Sequence, residues 1–174
     1  VGLDNEAAVT EACQHLKSKS YEAILVITES LAIDLRQARV DAIKAFINKN
    51  PKMSCDVLET DKVSKESIAS IISNFVQSNP TRKKAIFTTN GVATMIAAKA
   101  LKQLDIKVVQ DIGLIGIDDP EWVQLFEGGI TVMRQPTGKI GKTACERLLE
   151  RIKGNEEPPQ HIKLVAELIT RHST

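Results

Sequence analysis

Residues Ala85–Trp122 read AIFTTNGVATMIAAKALKQLDIKVVQDIGLIGIDDPEW, and the succession of patterns within them decides the fold. Ala85–Thr88 is a short β-rich apolar run. Val92, Met95, Ile96, Leu101 and Leu104 then mark a helix, and Gly113–Ile117 is a second apolar run that ends abruptly in Asp118-Asp119-Pro120. Strand, helix and strand in alternation are the signature of an α/β fold with a parallel sheet flanked by helices.

The same alternation continues on both sides. Upstream, Val9, Ala12, Cys13 and Leu16 follow helical spacing, with Asp4 or Asn5 as the N-cap. Ala23–Thr28 (AILVIT) suits a strand covered on both faces. Leu35, Ala38, Ala42 and Phe46 lie on one helical stripe, which Asn50-Pro51 terminates. Cys55–Leu58 reads as strand. Ile68, Ile71, Ile72, Phe75 and Val76 give the clearest amphipathic helix, ended by Asn79-Pro80. Downstream, Ile130–Met133 is a strand. Ile140, Ala144, Leu148 and Ile152 line a helix closed by Gly154 and Pro158-Pro159, and Ile162–Leu168 returns as strand.

With 174 residues, 43% of them apolar, the chain can bury a real core. Lys plus Arg number 23 against 22 Asp plus Glu, so the chain lacks the basic excess of a self-sufficient DNA binder. The Arg82-Lys83-Lys84 run reads as a solvated approach to a strand. Cys13, Cys55 and Cys145 are odd in number and far apart, which fits reduced thiols in a cytoplasmic protein. No apolar stretch approaches the roughly 18 to 20 residues that span a bilayer, so no membrane partner is expected.

Enzymatic motifs are wanting. His15, His161 and His172 have no ligand spacing, and neither a Gly-x-Ser-x-Gly elbow nor a His-Glu-x-x-His helix occurs, so no catalytic residue, metal or cofactor is assigned. Gly138-Lys139-Ile140-Gly141-Lys142-Thr143 imitates the end of a phosphate loop. The first glycine of that motif should stand five before Gly141, where Pro136 stands instead.

Ligands of open α/β sheets bind beyond the carboxyl ends of the strands. There the sequence puts Glu29, Ser30 and Arg36 after AILVIT, Asn90 after AIFTT, and Asp118-Asp119 after GLIGI. A planar fork of donors, an amide and carboxylates suit a polyhydroxylated or anionic small molecule. Each residue also has a plainer reading: Asn90-Gly91 as a turn, Asp118-Asp119-Pro120 as a cap, Arg36 as a surface partner of Asp34.

The quoted stretch, the later GITVMRQPTGKIGKTACERLLERIKG and the closing LITRHS resemble the second half of a sensor domain of the lactose-repressor family. VGLDNEAAVTEACQHLKSKSYEAILVIT resembles an earlier passage of that domain, so the likeness covers essentially the whole chain. The resemblance implies a fold like that of periplasmic sugar-binding proteins, with two lobes, a ligand cleft and crossing strands. By that analogy, residues 1–20 belong to the N-terminal lobe, 21–134 and 161–174 to the C-terminal lobe, and 135–160 carry the crossover and a helix returning beside the first helix. The DNA-binding head and most of the N-terminal lobe would precede Val1.

The resemblance further implies that Arg36 holds an effector, that Asn90 and Asp118 are its polar pair in the cleft, and that Gln135 lines the crossover. Trp122, the only tryptophan, would offer a ring face to a sugar, or else pack in core or interface. Two departures stand out: Gly91 where the family has Asp, and Arg39 where it has Gly. Arg39 adds a cation near the cleft and, with Arg36, favours a sugar acid or sugar phosphate over a neutral sugar. The implied partners are this small effector, operator DNA through a head outside the chain, and a second subunit in a homodimer. The alternative is an extracytoplasmic sugar-binding protein of a transporter.

Overall fold

The computed structural model describes all of residues 1–174. A two-residue strand β1 (Gly2–Leu3) leads into α1 (Asn5–Ser18), whose first turn is capped by Asp4 accepting from the Ala7 amide at 3.2 Å. The chain then alternates β2 (Ala23–Thr28), α2 (Asp34–Asn48), β3 (Ser54–Glu59), α3 (Lys65–Gln77), β4 (Lys84–Thr88), α4 (Gly91–Gln103) and β5 (Gly113–Ile117). It ends in β6 (Thr131–Arg134), α5 (Thr137–Ile152), β7 (Lys163–Leu164) and β8 (Glu167–Ile169).

Six strands make one sheet in the order β3-β2-β4-β5-β6-β8, parallel except for β8. Its inner strands β2, β4 and β5 are buried at every residue and almost wholly apolar, because both faces are covered there. Ile24 and Val26 join Ala85, Phe87, Ile115, Ile117 and Met133 in a core under α1 and α2. The alternate residues Leu25, Ile27, Ile86, Leu114 and Val132 form a second core under α3 and α4. Successive helices return on opposite sides of β2, so β3 and β4 flank it and the strand order reverses there. That reversal opens a crevice between the carboxyl ends of β2 and β4, the usual ligand position in such sheets.

Several expectations need correction. The buried face of α2 is Arg39, Val40, Ile43 and Ile47, one position round from the expected stripe. Leu35 and Ala38 are exposed, and Ala42 and Phe46 are half-buried at the core's margin. The apolar stripe missed this because the buried face begins with a charged residue, Arg39. The single C-terminal strand is two: β7 pairs with β1, while β8 pairs antiparallel with β6, and the break at Val165-Ala166 is the change of partner.

α1 lies not beside α5 but against α2 and the β6–β8 edge of the large sheet. Its apolar face, with Val9, Ala12, Cys13 and Leu16 all inaccessible to solvent, is completed by that sheet. The short link to β2, closed by the Tyr21 amide on the Leu16 carbonyl at 3.0 Å, holds the helix there. α5 follows its expected bounds but buries no residue, leaving Leu148, Leu149 and Ile152 60%, 53% and 72% exposed.

Candidate functional site

Four strands deliver polar residues to one cavity of about 980 Å³. Glu29 follows β2, Asn90 follows β4 by two residues, Asp118 follows β5 and Gln135 follows β6; Arg36 reaches in from the first turn of α2. Trp122 supplies part of an apolar wall with Val92, Met95 and Ile96, and it also packs on the core under α4. Arg36, Asn90, Asp118, Trp122 and Gln135, singled out from the sequence, therefore all line the same cavity.

Glu29 organises one side. Its Oε2 accepts from Arg36 Nη2 at 2.8 Å and from Asn90 Nδ2 at 2.7 Å. Asn90 cannot be a simple turn residue, because its Oδ1 accepts the Ala93 amide at 2.8 Å and caps α4. Nor is Arg36 paired on the surface with Asp34; its carboxylate is Glu29, at the cavity. On the other side Asp118 accepts the Gly91 amide at 3.0 Å and Gln135 Nε2 at 2.5 Å. It does so from a left-handed backbone, φ 85°, which an L-residue adopts at a cost. A Cβ at Gly91 would make only ordinary contact with Asp118 at 3.7 Å, so packing does not demand the glycine.

Asp119, next in sequence, anchors rather than greets a ligand. Its side chain is 4% exposed and takes Arg134 Nε and Nη2 at 2.9 and 2.7 Å and Arg171 Nη2 at 2.9 Å. Burial pushes this carboxyl up, but the hydrogen bonds and charges of Arg171 and Arg134 outweigh it and leave it below the ordinary value. Arg171 also donates to the Ile130 carbonyl at 2.8 Å, tying the C-terminal segment to β6. Sequence reading missed Arg134 and Arg171; Arg134 had a signal, standing at the same strand end as Gln135.

Arg39 does not line the cavity. It lies 2% exposed behind the floor, donating from Nε to Asn5 Oδ1 at 2.8 Å and from Nη1 to the Thr89 carbonyl at 2.5 Å. Burial lowers its affinity for the proton, Asp118 restores some of it and Arg36 opposes it. The lining itself balances three cations, Arg36, Lys99 and Arg134, with three carboxylates, Glu29, Asp118 and Asp119. The cavity sets these donors and acceptors beside an apolar wall, at the switch point of a doubly covered sheet.

Such a site on such a sheet defines a ligand-binding domain of the periplasmic-binding-protein type. The chain belongs to the family of periplasmic binding protein-like domains, which it matches over residues 13–174. More particularly, it is homologous to regulators of the lactose-repressor family. It is 39% identical to the HTH-type transcriptional regulator PtxS of Pseudomonas aeruginosa over 175 aligned positions, covering 100% of this chain and 50% of that protein. The chain thus spans about half the length of the curated relatives it matches. The fold is shared with a probable maltose operon transcriptional repressor of Staphylococcus aureus, at TM-score 0.88, 18% identity, and coverage of 98% and 60% of the two chains. It is shared too with a periplasmic binding protein/LacI transcriptional regulator of Alkaliphilus metalliredigens complexed with D-xylulofuranose, at TM-score 0.84, 21% identity, and coverage of 99% and 64%.

Proposed function

We propose that this chain is the effector-sensing part of a bacterial transcription regulator, in which a sugar, sugar acid or sugar phosphate occupies the cavity and controls binding to operator DNA. The observation that carries the reading is the convergence on one cavity of Arg36, from the first turn of α2, with Asn90, Asp118 and Gln135, from three strand ends. Arg36 and Asn90 offer donors, Asp118 accepts from vicinal hydroxyls, and Trp122 covers a ring face. No bond is made or broken, and the work done is a shift between open and closed arrangements of two lobes.

On this reading residues 21–134 and 161–174 build one lobe together with α1, while 135–160 belong to the crossover. The β1–β7 pair stands where the chain crosses. The protein acts in the cytoplasm as a homodimer, its DNA-binding head lying outside these residues. The regulators among its relatives favour this over a transporter's binding protein. Arg36 in the lining and Arg39 behind the floor both add positive potential, which favours an acidic sugar; tighter binding of glucose than of gluconate would overturn that preference. Operator binding by the full-length product, measured with and without the effector, tests the function. Coupling of about 1–3 kcal/mol is expected, and an unchanged operator affinity would refute it.

A further inference from the structure

Arg39 is the largest side chain sealed in the core and the only charged one in that group. Its hydrogen bonds go to two segments far apart in the sequence, Asn5 and Thr89. Nη1 holds the Thr89 carbonyl, one residue before Asn90, whose side chain binds Glu29 and caps α4. Nε holds Asn5 Oδ1, and Asn5 in turn donates from Nδ2 to the Leu3 carbonyl in β1 at 3.2 Å. β1 is tied to β7 by the Gly2 amide on the Ile162 carbonyl at 2.9 Å and the Asp4 amide on the Leu164 carbonyl at 2.8 Å. A continuous path of hydrogen bonds thus runs from the floor of the cavity to the β1–β7 pair, and Arg39 is its middle link.

The guanidinium is also sensitive to what happens in the cavity. Its Nη2 is buried without a hydrogen-bond partner, so one end of the fork is not fixed. Burial acts most strongly on its charge, and the charged groups that act on it are two cavity residues, Asp118 and Arg36, of opposite sign. In a site of low dielectric, neutralising or engaging either one changes the balance of forces on Arg39.

We infer that Arg39 is a positioning residue that couples the charge state and occupancy of the cavity to the pairing of β1 with β7. The inference rests on the effector reading for its biological meaning, but the coupling belongs to this chain and is measurable without effector. Glycine at this position offers no side chain to bridge Thr89 and Asn5, so the link is a property of the arginine.

The test is amide hydrogen exchange of Gly2 and Asp4, compared for Asp118→Asn in the parent chain and in an Arg39→Met background. Methionine keeps much of the packing volume and removes every donor. Asp118→Asn is expected to change the exchange of these two amides by about threefold or more in the parent background. In Arg39→Met it should leave them where that background sets them. The same response in both backgrounds, or none in the parent, overturns the proposal. Should Arg39→Met fold poorly, Asn5→Ala cuts the same path at its other end and must abolish the response equally. If no sugar binds yet the coupling is present, the effector reading fails and this one stands.

Discussion

Gln135 Nε2 stands 2.5 Å from Asp118 Oδ1, joining the chain where it leaves β6 for α5 to the chain where it leaves β5. The bond makes the cavity and the crossover one structural unit. On the proposed reading, a ligand hydroxyl held by Asp118 would share its carboxylate with Gln135, so binding there would be felt by the segment that carries α5.

Asp118→Asn separates binding from folding. Asparagine tolerates the left-handed region better than most residues but can accept from only one of Gly91 and Gln135, so the protein should still fold, with stability lower by about 1–2 kcal/mol. Loss of a charged acceptor should weaken effector binding by about 1.5–3 kcal/mol, roughly tenfold or more. Calorimetric titration beside thermal melting checks both. A variant that binds undiminished would remove Asp118 from the site.

Asp119 should govern part of the acid stability. Its folded carboxyl lies below the ordinary value of 3.8, so its contribution is fully present above that value and is lost as pH falls through the lower folded one. The unfolding free energy should therefore drop with decreasing pH below about 4, and Asp119→Asn should flatten that slope. At neutral pH Asp119→Ala should cost about 3 kcal/mol, because it strands Arg171 and frees Arg134. Denaturant titrations across pH measure both, and parallel slopes for parent and variant would contradict the assignment.

Gly113→Ala should destabilise by about 1–3 kcal/mol, since the added carbon would sit 2.6–2.7 Å from the Tyr21 ring and hydroxyl. Combining it with Tyr21→Val should cost less than the two changes summed. Strict additivity in denaturant unfolding would show that the clash is not with Tyr21.

The three thiols should react in a fixed order. Cys145 is exposed on α5, Cys55 is half-buried, and burial with the neighbouring Cys55 pushes Cys13 up to about 12. A thiol reagent at neutral pH should therefore modify Cys145 first and Cys13 only on unfolding. Mass-resolved labelling reads this, and early loss of Cys13 would mean that α1 opens readily from the sheet.

Much of this architecture is legible in the sequence, for a physical reason. β2 and β5 begin and end at the residues expected from AILVIT and GLIGI, because strands buried on both faces are continuous apolar runs with polar ends. The same rule gathers Arg36, Asn90 and Asp118, since strand ends in a parallel sheet all point to one rim. Arg39 escaped it because a buried charge breaks the apolar stripe by which a helix face is recognised. The division of the last strand between β7 and β8 depends on two different partners, β1 and β6, distant in sequence. The Asp119–Arg171 pair spans 52 residues and leaves no local pattern.

On the proposed reading this cavity binds a small polyhydroxylated effector through residues gathered at one rim of the parallel sheet. A thermal-shift panel of neutral sugars, sugar acids, sugar phosphates and, as unrelated ligands, purines tests it most directly, with Arg36→Ala and Asp118→Ala as controls. A ligand that binds the folded state must raise its melting temperature. A selective rise with a sugar-type ligand that disappears in both variants is expected, whereas a rise that survives both substitutions would place the ligand elsewhere and contradict an effector site in this cavity.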